Sequence, residues 1–395
     1  MSKNIVYFAP EFYPSNSGYA NATTGLVRML AGLGYSLHVI CPQSLSKDIE
    51  EFQSDTIRVH RIKQSRRLNS FVTALRILMY IIFNYDRSNT KIFYESGEYP
   101  VLALLLQFYY GAENVIMRIH GCFETEYFTW RGRLADRFGK KLMGLFLKRA
   151  QIIISTNSYH IEFIIEHYFK GNRLLAARKM FLTMPNVVSY EGNASKPEPV
   201  INDELQQLKS SKYFFSLGRM NGIDSLGQKG FIDILNAWLI LENKSDPDLM
   251  PKLVLVGSGK YCDSLKLTAK KLGIEKSVLF IDAIPRALVA ELLKNSAGCI
   301  LPSRYEGFSM FAAEVVQSGG ILIGTQKTGL VDLIVDEKTG FIIQPNSPLS
   351  IALVVNKILS MDEIDLLKMR RGASKHMEEL CNPSNIKSIF DISIK

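Results

Sequence analysis

No stretch of this 395-residue chain runs for about 18 uncharged apolar residues, the length a spanning helix needs. No membrane-spanning helix is therefore expected. Cysteine is sparse and scattered, at Cys41, Cys122, Cys262, Cys299 and Cys381, with no C-x-x-C pair and no paired histidines. That spacing offers neither a zinc site nor a disulfide framework. The G-x-G-x-x-G dinucleotide fingerprint is absent. Leu253-Val254-Leu255-Val256-Gly257-Ser258-Gly259-Lys260-Tyr261 comes near a phosphate-binding P-loop. It would need Gly at Val254 and Ser or Thr at Tyr261, so it fails twice. A formal D-x-D, Asp246-Pro247-Asp248, follows Ser245 between a helical run and a strand. Its company is turn chemistry, not a metal-ligand pair. Aromatic and basic residues do not interleave on any expected sheet face, which excludes RNA readout of the usual kind.

What is present is an ordinary soluble composition, 47% hydrophobic, with a net charge of +9. The length implies two or three domains. The positive balance invites nucleic acid or an anionic membrane surface. The opening residues lead straight into Ile5-Val6-Tyr7-Phe8-Ala9, an apolar run too short for a signal sequence and suited to a first buried strand. A cytoplasmic protein is expected, on which Asn21-Ala22-Thr23 and Asn193-Ala194-Ser195 carry no meaning as glycosylation sequons.

The chain is organised around Pro302-Ser303-Arg304-Tyr305-Glu306-Gly307-Phe308-Ser309-Met310-Phe311-Ala312-Ala313-Glu314. An apolar run, Gly298-Cys299-Ile300-Leu301, reads as a strand before it, and a helix is expected over residues 309–318, closed by Gly319-Gly320. This is the strand-loop-helix unit of a parallel α/β domain. Ser309 is the expected N-cap, and the open amides behind it form an anion site. Glu314 then falls about 7 Å further along the axis, within reach of a sugar hydroxyl on a diphosphate bound at the helix start.

The same alternation runs through the rest. Strands are expected at residues 5–9, 36–40, 57–62, 91–94, 114–119 and 152–154, with helices at 22–33, 71–83, 99–110 and 131–149. The loop at residues 10–20 carries Gly18, and the strand at 114–119 runs into His120-Gly121, both at carboxyl strand ends where α/β sites are built. The helix at 71–83 is apolar nearly all round and follows Arg58, Arg61, Lys63, Arg66 and Arg67. Such a helix is core or inserted at an interface. The polar stretch 189–211, with Gly192, Pro197 and Pro199, reads as a linker. Beyond it, Gly218-Arg219 ends a strand and Lys229-Gly230 opens a helix over 231–242, so Arg219 and Lys229 converge on one junction suited to phosphate oxygens.

Glu306 and Glu314, with seven residues between them, resemble the E-x7-E motif of retaining GT-B glycosyltransferases, in particular glycosyltransferase family 4. Gly218-Arg219 with Lys229-Gly230, Val256-Gly257 with Gly259, and Pro185-Asn186 followed by Val187 where Gly is usual resemble further elements of that family, in matching order. The resemblance implies a GT-B fold of two doubly wound Rossmann-like domains facing across a cleft. Residues 1–190 would bind acceptor, 191–211 would link, and 212–381 would bind the nucleotide sugar, with a last helix at about 382–395 packing back on the first domain. It also implies site roles. Arg219 and Lys229 would neutralise the leaving diphosphate, Glu306 and His120 would meet the transferred sugar, and Glu314 the ribose. Gly18, Gly218, Gly257, Phe308, Ser309 and Met310 would line the donor site, and Glu124 and Tyr127 the acceptor side.

The expected activity is metal-independent transfer of a hexose from a nucleoside-diphosphate sugar to an acceptor hydroxyl, with retention and with no cofactor. Its partners would be the donor, a glycan or lipid-linked acceptor of bacterial surface synthesis and an anionic membrane surface, but not nucleic acid. Two alternatives share the sequence features. One is an epimerase or hydrolase of the same fold, acting on the nucleotide sugar alone. The other is a non-catalytic basic surface-binding protein.

Overall fold

The computed structural model describes residues 4–15, 17–43, 54–63, 69–95, 99–121, 133–188, 208, 212–220, 228–243, 250–282, 284 and 286–395. The chain divides into two compact units, Met1–Ser189 with Cys381–Lys395, and Tyr190–Leu380.

The first unit runs β1 (Asn4–Phe8), α1 (Gly18–Gly32), β2 (Leu37–Pro42), β3 (Ile57–Ile62), α2 (Asn69–Asn84), β4 (Thr90–Glu95), α3 (Pro100–Tyr110), β5 (Val115–Ile119), α4 (Arg133–Arg149), β6 (Ile152–Ser155), α5 (Ser158–Tyr168), the single-turn α6 (Arg173–Ala176) and β7 (Met180–Thr183). Its strands are ordered β3-β2-β1-β4-β5-β6-β7, all parallel. Parallel strands covered by helices on both faces must be apolar on both faces, and Ile92, Phe93 and Tyr94 of β4 are fully buried. Residues such as Ile77 and Ile81 of α2, Leu102 and Leu106 of α3 and Phe146 of α4 share one core with this sheet. Leu26, Val27 and Leu30 of α1 share the other.

The second unit runs β8 (Tyr213–Leu217), α7 (Phe231–Glu242), β9 (Lys252–Val256), α8 (Cys262–Leu272), β10 (Val278–Ile281), α9 (Arg286–Asn295), β11 (Gly298–Leu301), α10 (Met310–Gln317), β12 (Leu322–Thr325), β13 (Gly340–Ile343), α11 (Pro348–Ser360) and α12 (Glu363–Leu380). Its order is β10-β9-β8-β11-β12-β13, again all parallel. Trp238 of α7 anchors the core, fully buried, its indole N–H donating to the Pro251 carbonyl at 3.2 Å. The last helix, α13 (Pro383–Ile394), belongs to the first unit. Its Phe390 ring lies 4.8 Å from Tyr35 and 5.3 Å from Phe93, and with Ile386 it completes the core beneath α1.

Two local expectations change. Helix α1 begins at Gly18, four residues before the expected position. Ser17 is its N-cap, accepting from the Ala20 amide at 3.0 Å, and Ser17 in turn donates to Glu11. Gly18 is thus the first residue of a helix and not part of a loop. Helix α2, apolar nearly all round, is neither wholly core nor wholly free. Ile77 and Ile81 are buried while Phe71 and Phe83 are 64% and 76% exposed.

Candidate active site

In both sheets the strand order reverses once, between β1 and β4 and between β8 and β11. Ligands of open α/β sheets bind outside the carboxyl ends of the strands at such a reversal. The sequence-derived site residues gather at these two places, each within its own unit.

In the second unit, the segments after β8, β9 and β11 are tied together. Gly218 N–H donates to the Val256 carbonyl at 3.1 Å and Met220 N–H to the Ser258 carbonyl at 3.0 Å. Gly257 has φ +149, and a Cβ there would stand 2.0 Å from the Gly218 carbonyl oxygen. Only glycine permits that approach. Gly257→Ala is expected to lower stability by about 1–3 kcal/mol through overpacking, read as a lower urea midpoint. A variant as stable as the parent would contradict the tight seam.

Gly230 has φ +69, and a Cβ there would lie 2.5 Å from the Pro302 carbonyl oxygen. The Lys229-Gly230 corner therefore seats directly on the start of the central motif. Arg304 N–H donates to the Gln228 carbonyl at 2.8 Å. The result is an ion pair between Lys229 Nζ and Glu306 Oε2 at 2.6 Å, with side chains only 17% and 11% exposed. The Ser303 hydroxyl donates to the same carboxylate oxygen at 3.0 Å, and the Glu306 carbonyl accepts from Gly329 N–H at 2.9 Å. Arg219, at the carboxyl end of the neighbouring strand, is exposed. Ser309 caps α10 as expected, accepting from Ala312 N–H at 3.3 Å. Phe308 is buried, and Met310 and Glu314 are half-buried on the first turns of α10.

In the first unit, the Gly18 turn and His120 come together, because the Tyr19 ring lies 4.6 Å from the His120 imidazole. His120 in turn sits on a buried ionic cluster that sequence reasoning did not find. Glu95, at the end of β4, is fully buried. It accepts from Tyr7 Oη and His120 Nε2, and from Arg118 Nη1 at 3.0 Å. His120 Nε2 lies between the Glu95 carboxylate and Arg118 Nη1, the latter 2.8 Å away. Arg118, equally buried, also donates to the Met184 and Pro185 carbonyls at 3.1 and 3.0 Å and to Asn186 Oδ1 at 2.7 Å. The Pro185-Asn186 element is thus the guanidinium's anchor. Burial works against the Glu95 charge, but Arg118 and His120 outweigh it and hold the carboxyl at about 2. Burial holds His120 below its ordinary value, so the ring is neutral at pH 7.

Glu124 and Tyr127 lie outside the described residues, as do the D-x-D at 246–248 and nearly all of the linker. Among the described residues, no group of three or more His, Cys, Asp or Glu could hold a metal ion. Cys41, Cys299 and Cys381 are free, and burial pushes their thiols up to about 11, 12 and 12, so none is a ready nucleophile.

Two doubly wound, all-parallel sheets constitute the GT-B architecture. Sucrose-phosphate synthase from Thermosynechococcus elongatus superposes with a TM-score of 0.74 at 17% identity, covering 99% of this chain and 98% of that one. Anabaena HepE, solved in complex with UDP, gives 0.70 at 15% identity, covering 98% and 99%. Residues 201–376, within the second unit, match the family model described as "Glycosyl transferases group 1". An uncharacterized glycosyltransferase of Bacillus subtilis, YqgM, is 26% identical over 179 residues, 45% of each chain. The matches to YqgM and two further curated relatives span between 28% and 61% of those relatives' lengths.

Proposed function

We propose that this chain is a retaining glycosyltransferase that moves a hexose from a nucleoside-diphosphate sugar to an acceptor hydroxyl. The observation that carries the reading is the Lys229–Glu306 pair at the strand-order reversal, with Arg219 on the adjacent strand end and the capped start of α10 beside it. Breaking the anomeric bond adds a negative charge to a diphosphate that already carries two. A fixed ammonium, a guanidinium and open helix amides stabilise that developing charge without reorganising. Glu306, held by Lys229 and Ser303, is placed to accept from sugar hydroxyls, and Glu314 from the ribose. The departing diphosphate oxygen takes the acceptor proton on the same face, so neither a protein nucleophile nor a metal is required. A lipid-linked or growing surface glycan is the acceptor class, reached from the cytoplasmic face of the membrane.

Thermal shift in EDTA against UDP, GDP, ADP and CMP tests the donor site. A nucleotide at about 100 times its dissociation constant adds about 2.7 kcal/mol, visible as a higher melting temperature. The expected result is a shift with one nucleotide that Glu314→Ala abolishes. No shift with any of the four would remove the transferase reading and leave the surface-binding alternative.

A further inference from the structure

Helices α2, α3 and α4 form one layer on one face of the first sheet, α3 touching both neighbours. Each buries one side in the shared core. The other side should then be polar, and it is not. Phe71, Leu75, Met79 and Phe83 recur at every fourth position of α2 and all are exposed. Phe108 of α3 and Phe138 of α4, on the same helix layer, are 58% and 61% exposed. Single exposed apolar residues are ordinary, but a helix stripe of four with further exposed aromatics on its neighbours marks an interaction site.

The charge on this layer is predominantly positive. Helix α2 holds Arg76 and no carboxylate, and α3 holds no charged residue. Helix α4 carries Arg133, Arg137, Lys140, Lys141, Lys148 and Arg149 against a single Asp136. The cations stand among the aromatics, with the Arg149 guanidinium 4.2 Å above the Phe108 ring and that of Arg87 5.9 Å from the Tyr109 ring.

We infer that this three-helix face lies flat on a bilayer of anionic lipid. Aromatic and aliphatic side chains enter the boundary between headgroups and acyl chains, while Lys and Arg meet lipid phosphates. A second copy of the chain fits worse, since it would set the α4 cations against their own kind. A nucleic acid fits worse too, since it would leave the α2 stripe in water beside one arginine. Among the described residues no helix is long and apolar enough to cross the membrane, so the face rests in the interface. The inference deepens the lipid-side acceptor reading, yet it is testable without donor or acceptor.

The experiment is co-sedimentation of the full chain with phosphatidylcholine vesicles, with and without phosphatidylglycerol. Binding is expected only with phosphatidylglycerol, weakening as salt rises. Phe71→Ser with Phe83→Ser is expected to cut binding by at least about tenfold, because each Phe loses its burial in lipid. Lys140→Glu with Lys141→Glu should abolish the preference for anionic vesicles. A fluorophore on Phe83→Cys should be quenched by brominated lipid in the anionic vesicles. Equal sedimentation with both vesicle types, undiminished binding of the Phe71/Phe83 variant, or an unquenched label would each overturn the inference. The nucleotide melting-temperature shift is read separately on the same variants, so failure of the lipid face and failure of the transferase reading give different results.

Discussion

Arg219→Ala and Lys229→Ala are each expected to lower turnover by about 10²–10³-fold, the usual cost of one lost transition-state donor. The two losses differ in kind. Arg219 is exposed just after a strand end, so its removal would delete the proposed bidentate phosphate partner and leave the fold intact. Arg219→Lys should restore part of the charge but not the fork that matches two phosphate oxygens. Lys229 is bonded to Glu306 at 2.6 Å. Its removal deletes a cation and also bares a carboxylate where the diphosphate charge would develop, so Lys229→Ala should be the worse variant. Sugar transfer and donor consumption measured together give the rate of each. Full activity in either variant would remove that residue from the leaving-group assignment.

Glu95→Ala is expected to lower stability by about 3–5 kcal/mol, because it strands Arg118 as a buried, uncompensated charge. The acid dependence identifies the cause. The Glu95 carboxyl sits at about 2 in the folded chain against an ordinary 4.5. Its stabilisation is fully present above 4.5 and is lost as pH falls toward 2. His120 works in the same direction, since its folded value lies below the ordinary 6.5. Once pH drops below 6.5 the unfolded chain takes up a proton that the folded ring refuses. Urea midpoints for the parent and Glu95→Gln should therefore stand far apart at pH 7 and converge on acidification. A gap that stays constant from pH 7 to pH 3 would contradict the ionic cluster as its source.

The architecture and the second-unit motif were largely legible in the sequence. Alternating apolar runs and punctuating glycines announce parallel strands, and Ser309 announces its helix by a local rule that operates over three residues. What was hidden lies between distant positions. Arg118 sits in the apolar strand Val115–Ile119 and reads as a side chain turned to water, yet it is fully buried. Its partners arrive from Glu95 and from Met184–Asn186, and no spacing rule links those segments. Gly257 reads as a donor-site glycine by resemblance, but its approach to the Gly218 carbonyl joins two segments that no spacing rule links. Helix α1 starts earlier than the sequence suggests, because Pro14, Ser15, Ser17 and Gly18 all favour turns and a capping serine is indistinguishable in sequence from a loop serine. The apolar helix α2 left core and interface both open, since composition counts residues but does not say which side meets the sheet.

The placement of α13 has a consequence for how the chain matures on the ribosome. Tyr190–Leu380 is continuous and can close its sheet as it emerges. The unit made first cannot. Ile386 and Phe390 fill the core under Tyr35 and Phe93, and they are synthesised only after the second unit. Until then one side of a seven-stranded sheet stays partly uncovered, an apolar surface of the kind that attracts chaperones and other nascent chains. The older half of the molecule therefore waits for the younger half to be finished before it can become native.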